Sequence, residues 1–360
     1  MKRNLLLIVV FVLLTSLLVV SCAQPASTPT PTPTPTPQSE PIILKYADQN
    51  PDIGWEGTNA AKPWLEQIEK ATNGAVKIEG YFSNTLFKGT DAWESLKANQ
   101  ADFAWCFHGY WANMTPLADV ITLPFLSIPS AEVGSSVLWQ LYEKYPSIQK
   151  QFADNKVVLT WTSNPYFLCT VNKQVKTIND IKGLKIRTTG GPPTEMLKAL
   201  GAVPTPMGMP DVYLNLQKGV IDGALLPWEA IISFKLYEVI KYYTYAPFHA
   251  VYFTQAFNLQ KWNSLPANIQ EQIMSVSGLN GSKFWGKNMF DTAAVAVHDI
   301  IKKENYQMVE YTIPEDELAN WSKIGGQPLW DAWVKSQEAK GSTEAQDILN
   351  TTLQLLKEYK

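Results

Sequence analysis

The sequence predicts an α/β fold of two lobes, each a mixed, mainly parallel sheet flanked by helices, with a ligand cleft between the lobes. Three observations carry this. Strand-like runs rich in apolar and β-branched residues alternate with helix-period segments along the chain. Roughly 320 residues follow the N-terminal leader, enough for two medium domains with well-formed cores. No compositional linker separates the two sets of strands, so the chain is expected to cross between lobes more than once, with the cleft where strands end. The expected division is 41–163 plus about 250–290 for lobe I and 164–249 plus about 291–360 for lobe II.

Taken in order, the chain opens with Lys2 and Arg3, an apolar run over 5–20 and then Ser21-Cys22-Ala23, the charged, apolar and small-residue layout of a secretory signal. The run is short for a bilayer span of about twenty residues. Its end resembles a bacterial lipoprotein signal, which implies lipidation of Cys22; a retained signal anchor is the alternative. Residues 25–37 are almost pure Thr-Pro repeat, which cannot bury apolar surface and favours extended polyproline II. This reads as a tether over 22–40, although an O-glycosylated or wall-spanning segment uses similar composition.

Beyond the tether, 42–47 reads as a strand. Trp64, Leu65 and Ile68 put an apolar stripe on a helix that Gly74 terminates, and 76–81 reads as the second strand. Asp91 with Glu94 three residues on is a capping-box variant, and 103–107 is a third strand. Further strands are expected at 157–163 and 184–188, with helices at 194–200 and 211–218 closed by Gly201 and Gly219. Residues 251–258 read as a strand returning to the first set, and Ile269, Ile273 and Val276 begin a helical stretch running to about Glu304.

Composition excludes several classes. The formal charge is −3, without the basic face that nucleic acid demands. With Cys22 assigned to lipid, Cys106 and Cys169 remain, each in an apolar stretch and read as small buried residues, with a disulfide between them left open. Three His, and the absence of Gly-x-Ser-x-Gly, His-Glu-x-x-His, Cys-x-x-Cys and Gly-x-x-x-x-Gly-Lys-Ser/Thr patterns, argue against an enzyme; Gly281 to Lys287 has the phosphate-loop spacing, but Asn288 follows where Ser or Thr is needed. Thirteen Trp, fifteen Tyr and fourteen Phe exceed what a core of this size needs, so some are expected to line a cleft.

The most informative stretch is 181–229. It holds Lys185-Ile186-Arg187, a Gly/Pro turn, Ala199-Leu200-Gly201-Ala202-Val203-Pro204, then Asp211 to Gly219 and Asp222-Gly223. With Leu44-Lys45-Tyr46-Ala47, Asn99-Gln100-Ala101-Asp102-Phe103 and Leu123-Pro124-Phe125, this order resembles the solute-binding subunits of tripartite ATP-independent periplasmic (TRAP) transporters, the C4-dicarboxylate-binding family. The resemblance implies a periplasmic-binding-protein-like (type II) fold, an extracytoplasmic location, permease membrane subunits as partners and a small organic acid as ligand. A monomer without cofactor is expected; Trp228-Glu229 resembles relatives that hold a metal ion with the ligand, but no matching constellation accompanies it and no metal is assigned.

An arginine at the C-terminal end of a strand presents a planar fork that grips a carboxylate through two charge-assisted hydrogen bonds. The resemblance implies this role for Arg187. It also places Phe167 where many members carry a second arginine, and Leu226 where many carry an asparagine. Losing both polar grips would make a second carboxylate costly to bury. The expected ligand is therefore a monocarboxylate with an apolar or aromatic body, walled by Trp105, Phe107, Tyr166, Phe167 and Trp228, with His108 and Glu229 as further polar contacts. Rival readings are a binding protein serving an ATP-driven transporter or a membrane sensor, and, more remotely, a secreted carbohydrate-active protein.

Overall fold

The computed structural model describes residues 40–359. The expected signal, Cys22 and the Thr-Pro tether lie outside them. Two sheets organise the described residues. The first has the order β2-β1-β3-β10-β4 and the second β11-β9-β5-β8-β6-β7. In the first, β1 (Ile42–Ala47), β2 (Val76–Tyr81) and β3 (Phe103–Phe107) run parallel. Helix Lys62–Ala71 makes the first crossover, burying Trp64, Leu65 and Ile68, and Gly74, at φ +76°, ends the turn after it.

Strand β4 (Asn155–Thr162) enters this sheet only through β10 (Tyr252–Asn258), which lies antiparallel between β3 and β4. The return of 251–258 to the first set is thus realised as an antiparallel insertion. In the second sheet, β5 (Tyr166–Thr170) pairs antiparallel with both β8 (Gly223–Leu226) and β9 (Tyr242–His249). The other pairings there are parallel: β6 (Lys185–Thr188) with β7 (Val203–Pro206) and β8, and β9 with β11 (Val309–Thr312).

The chain passes between the sheets after β4 and again before β10. The two crossings are tied together: Ser163 N–H donates to the Val251 carbonyl at 2.9 Å, and Val251 N–H to Ser163 Oγ at 3.1 Å. These paired bonds tie two of the connections between the lobes side by side.

Three expectations are corrected. Asp91 makes no side-chain cap; a single 3-10 turn (Gly89–Asp91) precedes helix Ala92–Lys97 and leads the chain into it. The stretch from 269 is broken into helices Ala267–Ser275, Gly278–Trp285 and Thr292–Lys303, because Gly278 sits at φ +55° and a π-turn over Gly286–Asp291 follows. The segment 291–360, expected wholly in lobe II, divides. Strand β11 joins the second sheet, whereas helix Ala345–Glu358 packs on helix Ala131–Lys144 of the first. Lys144 and Tyr145 there bond to Thr351 and Asp347. Its buried Ile348, Leu349 and Leu356 find their apolar surface on that side. Cys106 and Cys169 are free, buried and in different sheets.

Candidate functional site

A small, tightly closed cavity lies where the strand ends of both sheets meet. Alternation along β3 turns Trp105 and Phe107 into it. Phe253 of β10, opposite Phe107 in register, stacks on that ring at 4.8 Å. Phe290 closes the apolar wall, 5.6 Å from Phe253. The second sheet contributes Tyr166 from β5 and Arg187 from β6, and helix Trp228–Ser233 contributes Glu229.

Arg187 is the one cation lining the cavity and is 1% exposed. Its Nε and Nη2 donate only to the Met207 carbonyl, at 3.4 and 3.2 Å. Among the described residues no carboxylate comes within the 4.0 Å of an ion pair with it. A buried guanidinium left with one carbonyl for five N–H donors is an expensive arrangement by itself.

The surroundings are kept neutral or acceptor-rich. His249, beside Arg187, has both ring nitrogens buried without partners, and burial followed by the Arg187 charge lowers its pKa to about 3. Burial raises the Tyr166 hydroxyl, partly offset by Arg187. Glu229 is 3% exposed and is pushed up to about 7 by desolvation, against a hydrogen bond from Ser233. Behind it, burial raises Asp48 to about 6 and Glu56 well above the usual range, with the Asp48 and Glu229 charges adding to the Glu56 shift.

Contacts across the crevice hold it closed. Gly190 N–H donates to the Gly109 carbonyl at 2.8 Å, Met209 N–H to Tyr110 Oη at 2.9 Å, and Trp55 N–H to Ser233 Oγ at 3.0 Å.

Of the residues singled out in the sequence, Arg187, Tyr166, Trp105, Phe107 and Glu229 share this cavity, and four do not. Phe167 points to the opposite face of β5 from Tyr166, as neighbours on a strand must, at a bulge in the β5–β9 ladder. Leu226 is its cross-strand partner and follows it into the core of the second sheet. Trp228 packs on Phe167 at 4.4 Å, and together they line a separate open groove with Tyr245 and Pro247. The inference drawn from Phe167 and Leu226 about a missing second grip therefore fails; the cavity's own lining replaces it. His108 stacks on Tyr252 and bonds Thr254 in a neighbouring pocket, its pKa lowered to about 3 by burial.

Sequence reasoning missed Gln49, Asn50, Tyr110, Met209, Phe253 and Phe290. Gln49 and Asn50 follow the end of β1 directly, the place where such folds bind ligands, and that position was a readable signal. Among the described residues no group of His, Cys, Asp and Glu is placed to hold a metal ion.

Two sheets sharing one cavity between their strand ends form the two-lobed α/β architecture of solute-binding proteins. Residues 53–337 match the model of bacterial extracellular solute-binding protein, family 7, and the chain belongs to that family, whose members are substrate-binding components of TRAP transporters and not enzymes. It is 28% identical over 326 residues to the C4-dicarboxylate-binding periplasmic protein DctP of Rhodobacter capsulatus, covering 84% of this chain and 92% of that one. Among solved structures it resembles a TRAP solute-binding protein of Rhodoferax ferrireducens in complex with copurified benzoate. That match has a TM-score of 0.82 and 27% identity over 88% of this chain and 98% of the other. It equally resembles a marine metagenome TRAP solute-binding protein specific for aromatic acids, in complex with 3-hydroxybenzoate. Here the TM-score is 0.82 and the identity 27%, over 89% and 99% of the two chains.

Proposed function

We propose that this protein captures an aromatic or otherwise apolar monocarboxylate between its lobes, with Arg187 gripping the carboxylate, and delivers it to TRAP permease subunits. The observation that carries this is the buried Arg187 guanidinium without a counter-ion in an aromatic-walled cavity. A ligand carboxylate would supply the missing charge and take two of the free N–H donors, each bond worth about 1.5–3 kcal/mol net. One arginine then contributes a large part of the roughly 8 kcal/mol that micromolar binding requires. Trp105, Phe107, Tyr166, Phe253 and Phe290 would enclose the apolar body. The benzoate and 3-hydroxybenzoate held by the two similar structures support this choice.

In the same reading the protein acts as a monomer tethered through a lipid on Cys22 at the outer face of a cell membrane. The Thr-Pro segment gives the lobes room to close and to meet the permease. Titration calorimetry with benzoate, mandelate and succinate tests the ligand class. Arg187→Ala should weaken aromatic-acid binding by about a hundredfold or more; full retained affinity overturns the proposal.

A further inference from the structure

Besides Arg187, the cavity is lined by a second buried ionisable group that the carboxylate contact leaves unused. Glu229 accepts a hydrogen bond from Ser233 Oγ. A carboxylate has about four acceptor positions, so this one keeps capacity toward the cavity. Among the described residues no cation comes within ion-pair distance of it. Asp48 is fully engaged by Tyr46 and by the backbone and side-chain nitrogens of Asn50. Glu56, wholly buried, has neither carboxyl oxygen hydrogen-bonded.

Arg187 does not answer this surplus, since no carboxylate is within ion-pair distance of it. The cavity therefore presents donors without an acceptor at Arg187, and acceptors without a donor at Glu229. A plain aromatic acid satisfies the first and leaves the second untouched. A dibasic acid would bury its second carboxylate where the cavity's one cation, Arg187, is already engaged, and a buried carboxylate without a cationic partner is costly.

Resting on the carboxylate reading above, we propose that Glu229 is the second specificity determinant of the pocket. It accepts a hydrogen bond from a donor, hydroxyl or ammonium, borne by the ligand whose carboxylate Arg187 holds. The solute is then a hydroxy- or amino-substituted aromatic monocarboxylate, in preference to an unsubstituted or dibasic one. Glu229 is also the residue through which occupancy reaches the other lobe. Its Ser233 partner accepts from the Trp55 amide of the β1 loop, so a ligand donor that fixes Glu229 also fixes a contact across the crevice.

The test is calorimetry of the full chain with benzoate, 3-hydroxybenzoate, 3-(aminomethyl)benzoate and isophthalate, on the wild type and on Glu229→Gln. The wild type should bind at least one donor-bearing acid about tenfold or more tighter than benzoate, and isophthalate most weakly of all. Which donor leads tells hydroxyl from ammonium. In Glu229→Gln any advantage of the ammonium compound over benzoate should fall by about tenfold. Wild-type affinities for benzoate and both donor acids agreeing within about twofold would overturn the assignment, as would an unchanged ranking in Glu229→Gln. If the variant does not fold, the wild-type ranking decides alone. Benzoate bound through Arg187 with no donor advantage sinks only the Glu229 assignment; benzoate affinity surviving Arg187→Ala, or no aromatic acid binding at all, sinks the carboxylate reading beneath it.

Discussion

Arg187 combines deep burial, a single carbonyl partner and no counter-ion, a set of properties that stability alone would select against. Residues kept for binding at a cost to the fold are expected to give stability back when replaced by an apolar side chain of similar length. Arg187→Met should therefore raise the melting temperature of the ligand-free protein, corresponding to about 1 kcal/mol or more, while abolishing carboxylate binding; a melting temperature that falls would mark Arg187 as structural. This residue was singled out by the family resemblance of 181–229, since an arginine ending a strand reads by itself as a solvated charge. Trp105 and Phe107, named only as candidate walls, lie two apart on β3 and so turn to one face. Phe167, Leu226 and Trp228 were misread for one reason: facing along β5 is decided by the bulge next to Phe167, and register irregularities leave no trace in the pattern of residue types.

At the scale of elements, the site depends on backbone passing close to backbone. The Gly190–Gly109 bond joins the turn after β6 to the turn after β3, and there is no room for a side chain at Gly109. A Cβ there would lie 2.5 Å from the Phe107 ring and 3.0 Å from Thr189 Cβ. Gly109→Ala should push Phe107 into the cavity and wedge the crevice, weakening aromatic-acid binding by about tenfold or more with the fold intact. Small-angle scattering with saturating benzoate would show a larger radius of gyration than the wild type; an unchanged radius and affinity would contradict the latch. The first βαβ crossover was readable from its helical stripe and terminal glycine. The antiparallel insertion of β10 between β3 and β4 was not fully readable, since a strand buried on both faces reads the same in either direction.

At the scale of the molecule, several carboxyls are buried with raised pKa, among them Glu229 and Asp119 at about 7 and Asp48 at about 6. The folded state holds these protons more tightly than the unfolded chain. Their contribution to stability is therefore fully present below about pH 4 and is lost as the pH rises toward 7. The buried His108 and His249, with lowered pKa, act in the opposite sense at acid pH, so the clean comparison is between variants. Glu229→Gln should melt close to the wild type at pH 5 and above it at pH 8, by up to about 3 kcal/mol; a gap independent of pH would contradict the buried-carboxyl assignment.

The α/β architecture followed from the alternation of elements, and repeated crossing between the sheets from the lack of a compositional linker. The division of the C-terminal 291–360 segment between lobes did not, because amphipathic helices do not say which sheet they cover. Closure of the whole molecule on a carboxylate at Arg187 is the claim on which the rest stands. The direct test is a crystal structure of the protein bound to benzoate or to whichever acid copurifies with it. The account predicts both carboxylate oxygens about 2.7–2.9 Å from Arg187 nitrogens, with the ring against Trp105, Phe107 and Phe253. An acid lodged in another groove, or an Arg187 side chain turned to solvent in the closed form, would contradict it.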